Sequence, residues 1–257
     1  MLLLFASTAW AAWAPMPGPP LLATPIADPR ASRLQATWRS DGEIDAALGH
    51  VVPLVQYSGP VRVQAGLLFG TWLRFEPSGP GTFDLNTFDG SFGVPVDLEI
   101  DELSLRVAWR HTSAHVADGL DRPSITFSRE ELLALARYDL GLVSVYGGGS
   151  WMWKSAPELP RLGAQAGLEG QGQWWFAALD LQLRAEDDWA PGISAFAGAR
   201  IQRARGPVLR LGPCASWGAD RRGQFPEGRD EHLGLRLDLD LLPRGRVKAL
   251  GAEPRAK

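Results

Sequence analysis

The stretch Leu233-Gly-Leu-Arg-Leu-Asp-Leu-Asp-Leu241 puts leucine at every odd position and glycine or a charged residue at every even one. Side chains alternate across a β-strand, so this pattern gives one apolar face and one polar face. The same pattern recurs upstream. Val61, Val63, Ala65, Leu67, Phe69, Leu73 and Phe75 alternate with Arg62, Gln64, Gly66, Gly70 and Arg74. Leu103, Leu105, Val107 and Trp109 alternate with Ser104, Arg106, Ala108 and Arg110, and 143–154, 179–184, 193–202 and 209–217 read likewise. With weaker segments near 44–57, 88–100, 124–138 and 161–171, the total is about 12 strands, an even number that suits a closed barrel. The expected fold is all-β: an antiparallel transmembrane β-barrel with an apolar exterior and a polar bore.

Connection lengths point the same way. Tight turns are expected at 58–60, 99–101, 139–141, 169–171 and 204–206. Longer polar connections alternate with them at 76–87, 114–124, 154–160, 186–192 and 218–230. Short periplasmic turns and longer extracellular loops are the asymmetry of a bacterial barrel. A soluble β-sandwich, the competing reading, has no reason to segregate its loops and needs a second sheet over its aromatics.

Composition excludes several classes. Twenty-six basic and 29 acidic residues give a net charge of −3, so no nucleic-acid-binding field is expected. No run of eighteen apolar residues could form a membrane-crossing helix. Residues 1–12 read as a signal peptide, with Ala9-Trp10-Ala11 as the small-residue site, although no Lys or Arg precedes the apolar run. Residues 13–32 form a proline-rich arm, expected to lie extended on the periplasmic side. The barrel spans 33–242, and a basic tail covers 243–257. Export to a bacterial outer membrane follows, with outer-membrane lipid, lipopolysaccharide and the barrel-assembly machinery as partners. Cys214 is the single cysteine, so no intrachain disulfide can form, and it reads as a small filler on the polar face.

Within this frame Trp38, Phe75, Trp109, Trp153 and Trp217 fall on the apolar face near the long loops, as an aromatic girdle. The bore receives Arg62, Arg74, Arg106, Arg110, Arg184, Arg200, Arg210 and Arg236, with Asp180, Asp238, Asp240 and Glu186. These charges read either as an ion-pair network filling a narrow lumen or as the lining of an anion-preferring channel. Phe196, Tyr146 and Trp72 also point inward, which favours a filled interior. Gly147-Gly148-Gly149 lies mid-strand with no helix after it, so it reads as a bend or a close strand contact and not as a phosphate loop.

His111, Ser113 and His115 sit at spacing two, on the outward face just above the girdle. His111 as base, Ser113 as nucleophile and Glu130 as orienting acid would form a lipid-facing acyl-hydrolase site; a one-residue register slip would substitute Glu131. Such a His-x-Ser pair is similar to that of outer-membrane phospholipase A and lipid A deacylase. The competing reading is a set of interfacial polar residues that contact lipid head groups. His111, His115 and Asp118 are poor evidence for a metal, and no metal or cofactor is expected. Asp187-Asp188 reads as a solvated loop tip.

The ordered motifs Pro25-Ile-Ala-Asp-Pro-Arg30, Trp109-Arg-His-Thr-Ser-Ala-His115, Ser128-Arg-Glu-Glu-Leu132, Tyr138-Asp-Leu140, Val145-Tyr-Gly-Gly-Gly149, Glu186-Asp-Asp-Trp-Ala-Pro191, Gly223-Gln-Phe225 and Leu233-Gly-Leu235 span the chain. In that order they resemble the bacterial outer-membrane barrel family catalogued as domain of unknown function 1207. The resemblance implies an outer-membrane barrel and no established activity. The chain departs from the barrel pattern by running through Leu241-Leu242 into its tail instead of closing on an aromatic residue. The favoured expectation is a non-enzymatic barrel with a filled or narrow lumen.

Overall fold

The computed structural model describes residues 12–117, 124–203, 206–225 and 228–244. Its strands begin with β1 (Ala12–Pro15), β2 (Leu34–Arg39), β3 (Ile44–Ser58), β4 (Arg62–Gly79) and β5 (Thr82–Ile100). Then come β6 (Leu103–Val116), β7 (Phe127–Asp139), β8 (Val143–Ala156) and β9 (Leu162–Gln171). The last four are β10 (Trp175–Arg184), β11 (Gly192–Gln202), β12 (Val208–Gly218) and β13 (His232–Asp240). Each strand from β2 to β13 pairs antiparallel with its sequence neighbours, and β13 pairs back onto β2, so twelve strands close a barrel.

Following Cα partners once round the wall returns to β2 about 16 residues along the strand, a stagger that requires strands tilted by roughly 45°. The wall is inverted relative to a water-soluble protein. Leu179 is 50 % exposed, whereas adjacent Asp180 is 0 % exposed; Leu237 is 42 % exposed and Asp238 1 %. Leucine, valine and aromatic side chains cover the outside, and the buried set is dominated by arginine, aspartate and glutamate.

Two expected connections differ, and two more lie partly outside the described residues. Residues 76–87 are not a loop: β4 continues to Gly79 and β5 starts at Thr82, a hairpin that runs past the ends of the neighbouring strands. The turn expected at 169–171 lies at 172–174, because the β9–β10 ladder continues to Gln171. Of the turn expected at 204–206, residues 204 and 205 lie outside the described residues, as do 118–123 of the loop expected at 114–124.

The largest correction concerns the proline-rich arm, which does not lie outside the barrel. β1 and β2 pair with the same edge of β3, at 55–58 and 44–47 respectively, so together they occupy one strand position. Between them residues 16–33 leave the wall and fill the bore. Prolines deny this segment a ladder of its own, so its backbone groups must be satisfied by wall side chains. Leu21 and Leu22 donate their N–H groups to Gln64 Oε1 and Asp97 Oδ2, each at 3.1 Å, and Ile26 donates to Glu169. Ile26 and Ala27 pack on Phe176, Phe196 and Cys214, while Leu22 packs on Leu135 and Tyr146.

Candidate functional site

Two polar clusters stand out, one on the outer wall and one in the bore. On the outside, Phe92, His111 and Glu130 are Cα partners in a row across β5, β6 and β7. His111 Nδ1 lies 2.7 Å from Glu130 Oε1, and the Trp109 indole N–H donates to Glu130 Oε2 at 2.8 Å. The Phe92 ring lies against the His111 ring, with centroids 4.8 Å apart. A bulge between β7 and β8 makes exposed Lys154 the Cα partner of Glu130. The alternating pattern alone puts Lys154 on the inner face; the bulge inserts one residue and reverses that parity.

The expected three-residue site is therefore brought together only in part. Glu130, and not Glu131, is the acid beside His111; Glu131 faces the bore and pairs with Arg110 at 2.5 Å. Ser113 is not bonded to His111. Its Oγ lies 2.8 Å from His115 Nε2, one strand row further toward the long loops. Sequence reasoning missed this because His111 and His115 are equally spaced from Ser113. A serine hydroxyl on an imidazole nitrogen is a nucleophile–base contact. Among the described residues, the carboxylate that could orient an imidazole lies beside the other histidine. Among the described residues no group of three or more His, Cys, Asp or Glu is placed to hold a metal ion, and Asp118 lies outside them.

The girdle residues Trp38, Phe75, Trp109, Trp153 and Trp217 lie on strands β2, β4, β6, β8 and β12, and Trp38 and Trp217 are exposed. Trp151 joins them, with its ring centroid 6.3 Å from that of Trp153. At the opposite end Tyr138, Trp174 and Trp175 form a second set of exposed aromatics.

In the bore the expected arginines are placed as an ion-pair network. Arg74 bonds Asp45 at 2.5 Å, Arg106 holds Asp97 at 2.7 Å and Arg236 holds Asp238 at 2.8 Å. Arg184 reaches Asp187 at 2.6 Å, and Asp180 accepts from Tyr146 at 2.8 Å and Gln165 at 2.7 Å. Arg200 donates to Gln202 at 2.6 Å and Arg210 lies 4.0 Å from Asp240. Arg62 sits at the short-turn rim, nearly half exposed, and pairs with Glu99.

Sequence reasoning missed two contributors to this network. The first is the arm, whose Arg30 and Arg33 pair with Asp89 at 2.6 Å and Asp238 at 2.8 Å. The second is the 218–230 connection, which folds inward. Its Arg221 pairs with Asp180 at 3.0 Å, and Asp230 takes Arg39 at 2.8 Å and Arg74 at 3.3 Å. Burial pushes the Asp230 carboxyl up, but nearby His232, Arg74 and Arg39 outweigh it and hold the group far below the usual carboxylate range. At Asp220 burial is likewise outweighed, by Arg222. At Asp187 burial wins over Arg184 and the carboxyl is raised.

No family model, curated protein or solved structure matches the chain.

Proposed function

We propose that the protein is a plugged barrel of a bacterial outer membrane, closed to free solute passage, with its short turns in the periplasm. The observation that carries this reading is the arm: residues 16–33 occupy the bore and are tied to the wall by the Arg30–Asp89 and Arg33–Asp238 pairs. The exposed leucine belt between two sets of exposed aromatics supports placement in a bilayer. An aligned row of free guanidiniums would favour an anion channel, but Arg74, Arg106, Arg137, Arg221 and Arg236 of the bore are each paired with a carboxylate. The resemblance to the family of unknown function 1207, unmatched by any family model, adds no activity to this reading. The test is to reconstitute the full chain in planar bilayers: no stepwise conductance is expected, and well-resolved channels would overturn the closed state. Density-gradient fractionation of expressing cells checks the location.

A second reading rests on Ser113 Oγ standing 2.8 Å from His115 Nε2 on the lipid-facing wall. There the pair would attack an outer-leaflet acyl ester, with His115 and not His111 as the base. Fatty-acid release from phospholipid vesicles, lost in Ser113→Ala and His115→Asn but kept in His111→Asn, distinguishes this assignment from the Ser113–His111–Glu130 one. Equal release by Ser113→Ala removes both.

A further inference from the structure

The arm and the inward-folded 218–230 connection do not fill the bore completely. They leave a cavity of about 120 Å³ between the arm and the β6–β10 wall. By the room one buried water needs, about 10–15 Å³ on this measure, it is large enough for a tetrahedral anion with a few waters. Pro160, exposed Arg161 and Leu162 line it as well, so it reaches the rim at the long-loop end, while Thr24 and Asp28 of the arm contribute to its floor.

Its lining is biased toward hydrogen-bond donors. Seven arginines face it against three carboxylates, those of Asp28, Glu131 and Glu186. The carboxylates that neutralise Arg30, Arg106 and Arg221, namely Asp89, Asp97 and Asp180, are not part of the lining. Each guanidinium has five N–H donors and one carboxylate engages at most two; backbone carbonyls take some of the others, Leu22 from Arg106 and Asp220 and Arg221 from Arg184, but not all. Four donors of lining residues, three of them guanidinium N–H groups, are buried without a hydrogen-bond partner among the described residues: Trp72 Nε1, Arg129 Nε, and Arg221 Nε and Nη2. One acceptor, Glu186 Oε2, is in the same state. A buried donor left without a partner destabilises the fold, a charged one more than a neutral one. Three of the seven arginines come from widely separated parts of the chain: Arg30 from the arm, Arg129 from β7 and Arg221 from the 218–230 connection.

We infer that this cavity is a binding site for a small oxyanion of the phosphate or sulfate type, entered from the long-loop end and held by Arg221, Arg129 and Trp72. An oxyanion supplies several acceptors, which suits a lining with a surplus of donors better than a network of waters that must also donate. The same phosphate chemistry is carried by a lipid head group, and the experiment separates the two sources.

The full chain, refolded in neutral detergent, is titrated calorimetrically with inorganic phosphate and sulfate at constant ionic strength, with chloride as control. Saturable one-to-one binding of phosphate or sulfate is expected, at least tenfold weaker in Arg221→Gln and several-fold weaker in Trp72→Phe, which keeps the ring and removes one donor. Repeating the titration in micelles doped with an anionic phospholipid identifies the source: loss of the phosphate heat there assigns the site to a head group, and an unchanged heat assigns it to the free ion. Should Arg221→Gln fail to refold, Trp72→Phe decides alone. Heat no greater than that of chloride, or affinity unmoved by the substitutions, overturns the inference.

Discussion

The Leu22 backbone N–H donates to Asp97 Oδ2 at 3.1 Å, and the same carboxylate accepts two bonds from Arg106, whose Nη2 returns a bond to the Leu22 carbonyl at 3.1 Å. Arm and wall thus share one closed ring of hydrogen bonds around a single residue. Asp97→Ala should therefore leave a buried guanidinium and a buried N–H unpaired together. A loss of roughly 3–5 kcal/mol is expected, as when one partner of a buried ion pair is removed. Urea unfolding in detergent measures it, and a change below about 1 kcal/mol contradicts the buried ring.

Tyr146, Gly167 and Asp180 are Cα partners on β8, β9 and β10, and the Tyr146 ring lies across the glycine to place its hydroxyl 2.8 Å from Asp180. A Cβ at residue 167 would collide with that ring. Gly167→Val should displace Tyr146 from both Asp180 and Leu22, at a cost of about 2–4 kcal/mol from overpacking and a broken buried bond. Gly141→Ala tests a different cause in the same barrel: it meets no atom but sits at φ +86, so its smaller cost should come from backbone strain alone. Equal effects from both variants would refute the ring collision.

Leu179 and Asp180 are neighbours in sequence on opposite faces of β10. If the exterior meets lipid, Leu179→Arg should lower folding stability in phospholipid vesicles by about 2–4 kcal/mol, the range for arginine near a bilayer midplane. Exposed Arg229 and Glu231, in the connection before β13, serve as the control, since exchanging them should change little. A Leu179→Arg variant as stable as the parent would remove the bilayer reading.

The pH response follows from the 218–230 connection. Asp220 and Asp230 are held below the unfolded carboxylate value of about 3.9, so they add stability above it and lose that contribution only as pH falls through their lower folded values. Asp187 is raised, so it works the other way: it costs stability at neutral pH, and the cost disappears as the group protonates. Urea midpoints should therefore hold or rise slightly from pH 7 to 5 and drop below about pH 4. Asp230→Asn should flatten the acid limb. A midpoint that falls between pH 7 and 5.5, and ceases to do so in Asp230→Asn, contradicts the assignment.

The wall was legible in the sequence because its periodicity is local. The leucines of 233–241 face outward and Arg236 and Asp238 inward, as alternation requires, and the weak segments at 44–57 and 88–100 lie in strands. What fills the wall was not legible. The prolines at 17, 19, 20, 25 and 29 deny their segment a strand but carry no information about place, and Pro15 does not prevent β1; Ile26 is fixed by Glu169 and Phe176, each more than a hundred residues away. Arg221 is likewise fixed by Asp180, a partner no spacing rule reveals. On the outer wall, equal spacing could not choose between His111 and His115 for Ser113, and the bulge that aligns Lys154 with Glu130 breaks the parity on which the reading depended.

Because β1 and β2 share one edge of β3, the stopper in this cylinder is a loop anchored at both ends rather than a cork on a string. It cannot slide out lengthwise while those two short ladders hold. Clearing the interior requires one of them to part, and β1, with four Cα partners on β3, is held by fewer pairings than β2, which also pairs with β13, so any passage through this molecule is governed by that short first ladder.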